Sequence, residues 1–112
     1  MLVIERLDDT TIVHVTGDLD VEVSPELGSI LTLVQRTETT RIVVSLQRCN
    51  FCDASGLSVL LRAHNAATSD FVVVVPDGAK SRRVFEVTGL CKILHLVPTM
   101  ERALAAELPL AV

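Results

Sequence analysis

Two uninterrupted apolar runs, Ile42-Val43-Val44 and Phe71-Val72-Val73-Val74-Val75, constrain this chain more than any other feature. A strand with one wet face alternates apolar and polar residues, whereas these runs leave no polar position, as expected of strands buried on both faces. Around them lie helical patterns. Ser24-Pro25 is a helix start, with Ser as N-cap and Pro in the first turn, and Leu27, Ile30, Leu31 and Val34 follow on one face. Leu57, Leu60 and Leu61 form a second stripe. Strands alternating with helices imply right-handed crossovers and a sheet covered by helices.

The remaining elements fill in the order. Leu2 to Leu7 and Thr11 to Val15 are β-rich and separated by Asp8-Asp9, which predicts a hairpin. Gly17-Asp18-Leu19-Asp20 then ends the second strand, and the first helix ends near Arg36 to Glu38. Leu46 and Phe51 extend the apolar segment that begins at Ile42. Pro76-Asp77-Gly78 has the residue types of a turn and stops the Phe71 to Val75 run. A third helix is expected from about Lys80 to Leu90, with Gly89 as its C-cap. Ile93 to Val97 reads as a short strand closed by Pro98, and Thr99 can cap a last helix with Met100, Ala103, Leu104 and Leu108 on a sparse apolar face.

Length and charge narrow the function classes. At 112 residues the expectation is one domain over 1–112, able to bury a core without metal or disulfide. Trp and Tyr are absent and Phe occurs three times, so that core must be aliphatic. A net charge of -4, with no Lys/Arg cluster interleaved with aromatics, argues against nucleic-acid binding. The start, Met1-Leu2-Val3-Ile4-Glu5-Arg6, acquires charge too early for a signal peptide, and no apolar run reaches membrane-spanning length. The expected location is the cytoplasm, where the three Cys are reduced by default.

Catalytic sets are not recognisable. His14, His64 and His95 fall on separate elements, and no histidine pair has the spacing of a zinc helix, so neither metal nor cofactor is implied. Cys49-Asn50-Phe51-Cys52 is formally C-x-x-C. Cys52 lies near a helix start, which lowers thiol pKa and makes redox sensitivity conceivable. An extended backbone nevertheless holds Cys49 and Cys52 too far apart to bridge. Cys91 is a further free thiol of unassigned use.

The stretch Cys52-Asp53-Ala54-Ser55-Gly56-Leu57 joins a strand to a helix and leaves a hydroxyl at the helix start. Either Asp53 or Ser55 caps that helix, or Ser55 carries a phosphate that the helix amides and dipole favour. Gly17-Asp18-Leu19-Asp20 is a bare turn unless it lies beside this stretch. If it does, Asp18, Asp20 and Asp53 surround Ser55 with negative charge.

Taken along the chain, these segments resemble a known family. Val15-Thr16-Gly17-Asp18-Leu19-Asp20 with Ser24-Pro25-Glu26-Leu27 is similar to the G-E-L-D…x-P-x-L opening of STAS domains of the bacterial anti-anti-sigma factor type. Asp53-Ala54-Ser55-Gly56-Leu57 resembles their D-S-S-G-L phosphorylation motif. Val87-Thr88-Gly89-Leu90 and Ala103-Leu104 resemble the family's L-T-G-L and final A-L. The resemblance implies an α/β fold: a mixed four- or five-stranded sheet with about four helices, mainly on one side. It also implies an anti-sigma factor antagonist that binds an anti-sigma serine kinase when unphosphorylated. Phosphorylation breaks that complex and a metal-dependent serine phosphatase restores it.

On this resemblance Ser55 is the phosphoacceptor, and Asp18, Asp20, Asp53, Ala54, Gly56 and Leu57 form the partner surface, Gly56 letting the partner approach the helix start. Two positions depart from the pattern. Ala54 replaces the motif's first serine, leaving one acceptor, and Ser45 stands where an aspartate is often found. Two other readings stay open. One is a STAS module that is never phosphorylated and binds nucleotide or serves a transporter or signalling assembly, against which the lack of a Gly-rich phosphate loop with Lys counts. The other is an antagonist switched by the thiols of Cys49, Cys52 or Cys91.

Overall fold

In the computed structural model, which describes residues 1–105, five strands form one sheet in the order β1-β2-β3-β4-β5. The strands are β1 (Leu2–Leu7), β2 (Thr10–Leu19), β3 (Arg41–Cys52), β4 (Asp70–Val74) and β5 (His95–Val97). The β1–β2 hairpin is antiparallel, and every later pairing is parallel. Spatial order follows chain order because each parallel step is a crossover through a helix. The crossovers are α1 (Ser24–Val34), α2 (Ala54–Ala66) and α3 (Lys80–Thr88), and a short α4 (Met100–Ala103) follows β5.

The two apolar runs are buried as their composition requires. Ile42, Val43, Val44 and Val72 to Val75 are all 0% exposed. Successive side chains alternate between two layers. Ile42, Val44 and Val73 join Leu27 and Leu31 of α1, Leu57 and Leu60 of α2 and Phe85 of α3. Val43, Val72 and Val74 face the other way, onto Ala103 and Met100. Three helices therefore share one face, and α4 occupies the opposite one. Burying each such side chain is worth about 1.5–3 kcal/mol.

Buried Arg41 ties the second layer together. Its Nη1 donates to the carbonyl of Ala103 at 3.1 Å and to that of Ala105, and its Nη2 lies 3.6 Å from Asp70 Oδ2.

Several boundaries differ from expectation for local reasons. Strand β2 runs on through Gly17 to Leu19, because register shifts between His14 and Thr16 and between Gly17 and Asp18 absorb the irregularity. Gly17 has φ +94°, which glycine adopts without strain. Ser24 is the first residue of α1 and not its side-chain cap. Val23 holds the N-cap position with no side-chain hydrogen bond, while Ser24 Oγ donates to the Asp20 carbonyl at 2.6 Å. Helix α3 stops at Thr88, with Gly89 in the left-handed region as C-cap. A 3-10 turn over Leu90–Lys92 then delays β5 to His95. Thr99 caps α4 by accepting from the Arg102 amide at 3.1 Å. Leu108 lies outside the described residues.

Candidate functional site

The ends of β2 and β3 stay paired to the last residue and deliver two loops to one place. Leu19 is opposite Cys52, and the Asp53 amide donates to the Leu19 carbonyl at 3.1 Å. The Gly17 to Asp20 segment is therefore not a bare turn; it runs beside the start of α2.

Asp53 is the N-cap of α2. Its Oδ1 accepts from the Ser55 amide at 2.9 Å, the Gly56 amide at 3.1 Å and the Ser55 hydroxyl at 2.5 Å. These hydrogen bonds, that from the Ser55 hydroxyl foremost and that from the Gly56 amide next, hold its carboxyl below the ordinary carboxylate range. The choice between Asp53 and Ser55 as cap is settled for Asp53. Its occupation of the Ser55 and Gly56 amides also removes the donors that a phosphate on Ser55 would otherwise meet first.

Ser24 enters from the other side. Only 2% exposed, its Oγ lies 3.1 Å from Ser55 Oγ. Asp20 organises the turn that presents it: Oδ1 accepts from the Glu22 and Val23 amides at 3.1 and 3.2 Å. Its backbone carbonyl accepts from the Ser24 amide at 2.8 Å. Of the three aspartates expected around Ser55, Asp53 touches it and Asp20 reaches it through Ser24. Asp18 is exposed on β2 opposite Phe51 and has no hydrogen bond to Ser55.

The other candidate residues divide between surface and core. Ala54 is exposed at the first turn of α2, whereas Gly56 and Leu57 are buried. A Cβ on Gly56 would stand 2.7 Å from Leu19 Cγ and 3.0 Å from Cys52 Sγ. The glycine is required by internal packing against Leu19 and Cys52. Leu57 likewise belongs to the core, so it positions the helix start and offers little contact area.

Burial opposes a redox role for the paired thiols. Cys49 and Cys52 are both free and buried. Desolvation raises the Cys49 thiol above its ordinary value and pushes that of Cys52 up to about 12, reversing the helix-start effect expected for Cys52. Cys91 is free and half-buried. His14 pairs with Glu5 at 2.8 Å, and His64 meets the Phe71 ring edge-on at 6.3 Å. Among the described residues no three His, Cys, Asp or Glu gather as a metal site, and no helix is long and apolar enough to cross a membrane.

Three features were not read from the sequence. A groove of about 1050 Å³ lies between α1 and α2, lined by Val21, Ser24, Gly28, Ser55, Ser58 and Arg62 among others. Gly28 of α1 faces Val59 of α2 across it, a Cβ there standing 3.7 Å from Val59 Cγ1 in ordinary van der Waals contact. Phe51 and Val21, 54% and 68% exposed, stand beside the site as apolar surface. Phe51 was expected to continue a buried segment, but strand alternation ends near Cys49. Only the large apolar residue next to the motif hinted at a surface role.

A five-stranded mixed sheet with helices on both faces and a serine in the first turn of α2 defines a small α/β protein with a hydroxyl site at one sheet end. Comparison with known proteins places it further. The family described as "Mlab, STAS domain" matches residues 2–98, and the chain belongs to the STAS family. It is 34% identical over 86 residues to the anti-sigma-B factor antagonist of Staphylococcus aureus, covering 75% of this chain and 80% of that one. An anti-sigma factor antagonist from Mycobacterium paratuberculosis superposes with a TM-score of 0.85 at 28% identity, over 93% of this chain and 90% of that chain. SpoIIAA, an anti-sigma factor antagonist, shares the fold in its unphosphorylated form with a TM-score of 0.72 at 24% identity, over 92% of each chain.

Proposed function

We propose that this protein is an anti-sigma factor antagonist whose binding to an anti-sigma serine kinase is switched by phosphorylation of Ser55. The observation that carries the reading is the Ser55 hydroxyl itself, held 2.5 Å from Asp53 at the rim of the α1–α2 groove. In the transfer the Ser55 Oγ–P bond forms as the bond between the γ-phosphorus and its bridging oxygen in ATP breaks, and ADP leaves. The hydroxyl hydrogen departs along its bond to Asp53 and passes to solvent, because a carboxyl does not retain a proton at neutral pH.

The protein acts by association and not by turnover, as one domain over residues 1–112, in the cytoplasm. Exposed Asp18, Val21, Phe51 and Ala54, on the strand ends and loops that lead to Ser55, supply the contact surface, with Asp20 and Asp53 shaping it. A phosphate driven into that interface without compensating donors costs several kcal/mol, more than the roughly 2.7 kcal/mol of a hundredfold affinity loss. A metal-dependent serine phosphatase returns the protein to its binding form.

Two measurements test this. Incubation with the anti-sigma kinase and ATP, followed by peptide mass spectrometry, should place phosphate on Ser55 and nowhere in Ser55→Ala. Capture from the native cell should retrieve the kinase with Ser55→Ala and lose it with Ser55→Asp. Equal capture by the two baits rules the switch out.

A further inference from the structure

Resting on Ser55 as the phosphoacceptor, we propose that the phosphate seats in the α1–α2 groove, held by the Ser24 hydroxyl and the Arg62 guanidinium, and not on the amides at the start of α2. The argument begins with hydrogens. Three contacts form a chain: Ser24 Oγ to the Asp20 carbonyl at 2.6 Å, Ser24 Oγ to Ser55 Oγ at 3.1 Å, and Ser55 Oγ to Asp53 Oδ1 at 2.5 Å. Two hydroxyls bring only two hydrogens to these three contacts, and an ester oxygen brings none.

Phosphorylation therefore leaves the Asp53 carboxylate facing Ser55 Oγ with no hydrogen between them, and adds a phosphate of about −1.5 to −2 charge beside it. The contact cannot persist. Moving toward the Ser55 and Gly56 amides gives no relief, because Asp53 already accepts from both at 2.9 and 3.1 Å. Ser24 is the donor on the opposite side. It can turn to the phosphate at small cost, because the Asp20 carbonyl keeps the Ser24 and Val23 amides at 2.8 and 3.2 Å.

The groove supplies the charge. Ser55, Ser58 and Arg62 all line it, at i, i+3 and i+7 on one face of α2. Arg62 Nε donates to the Ser58 carbonyl at 3.4 Å, which lays the side chain back along α2 toward its N-terminal end. Arg62 is the cation among the groove's lining residues. A phosphate drawn there also fills volume that a docking partner would otherwise enter.

Phosphoserine placed at position 55 during translation tests the seat without a kinase. Phosphorus NMR then follows the second ionisation of the phosphate as pH is varied. Arg62→Gln, a surface change, should raise that pKa by about half a unit, since a nearby cation favours the doubly charged form. Ser24→Ala should raise it by a smaller amount, and Ser24→Thr should restore it. Constancy in Arg62→Gln or in Ser24→Ala overturns the seat. Absence of phosphate on Ser55 in the kinase assay would remove the switch itself while leaving this measurement intact.

Discussion

Leu19 occupies the space that a side chain on Gly56 would need, with its Cγ 2.7 Å from where a Cβ would lie. The end of β2 and the first turn of α2 thus lock together through a missing atom. Gly56→Ala should cost about 1–3 kcal/mol by overpacking, read as a lower urea midpoint with unchanged slope. Were the glycine there only for a partner's approach, stability would stay at the wild-type value and binding alone would fall.

The cap at Asp53 should make stability fall in acid. Its carboxyl is held below its unfolded value, so its contribution is present above that value, 3.8, and is lost as pH falls through the lower folded one. Urea unfolding of wild type and Asp53→Asn should differ at neutral pH and converge below 3.8. A gap that persists in acid would show that the charge of Asp53 does not stabilise the cap.

The thiols should label in an order set by burial. With Cys52 at about 12 and Cys49 also raised, little thiolate exists at either in mildly alkaline buffer. Iodoacetamide should modify half-buried Cys91 first and reach the other two only when urea unfolds the protein. Fast labelling of Cys52 in the native protein would restore the redox-switched reading.

Phe51, 54% exposed beside the site, should matter to binding and not to folding. Phe51→Ala is expected to leave the melting temperature within a degree or two and to weaken binding of the anti-sigma kinase by about 1–2 kcal/mol in calorimetry. Unchanged affinity would move the contact surface elsewhere on the protein.

The fold was readable wherever one force acted alone. Val72 to Val75, short, β-branched and stopped by a turn, fits a doubly covered strand, and Gly89 ends α3 because the left-handed turn there suits glycine. The site was readable as residues but not as geometry. Gly17 looks like a stop, yet it lies inside a bulged strand that carries Asp20 to Ser55. Ser24 looks like a cap, yet Asp20 satisfies the amides before it while the Ser24 hydroxyl donates to the Asp20 carbonyl and lies 3.1 Å from Ser55 Oγ. Both depend on which loops meet, and that is decided by strand pairing thirty residues away in the chain.

One oxygen of Asp53 receives three hydrogens at the head of α2, two from the backbone and one from the Ser55 hydroxyl. Esterifying Ser55 erases one of those bonds, so the mark is written over part of the scaffold that displays it. On the proposed switch, hydrolysis of that ester would restore the lost bond, so dephosphorylation would also repair the scaffold.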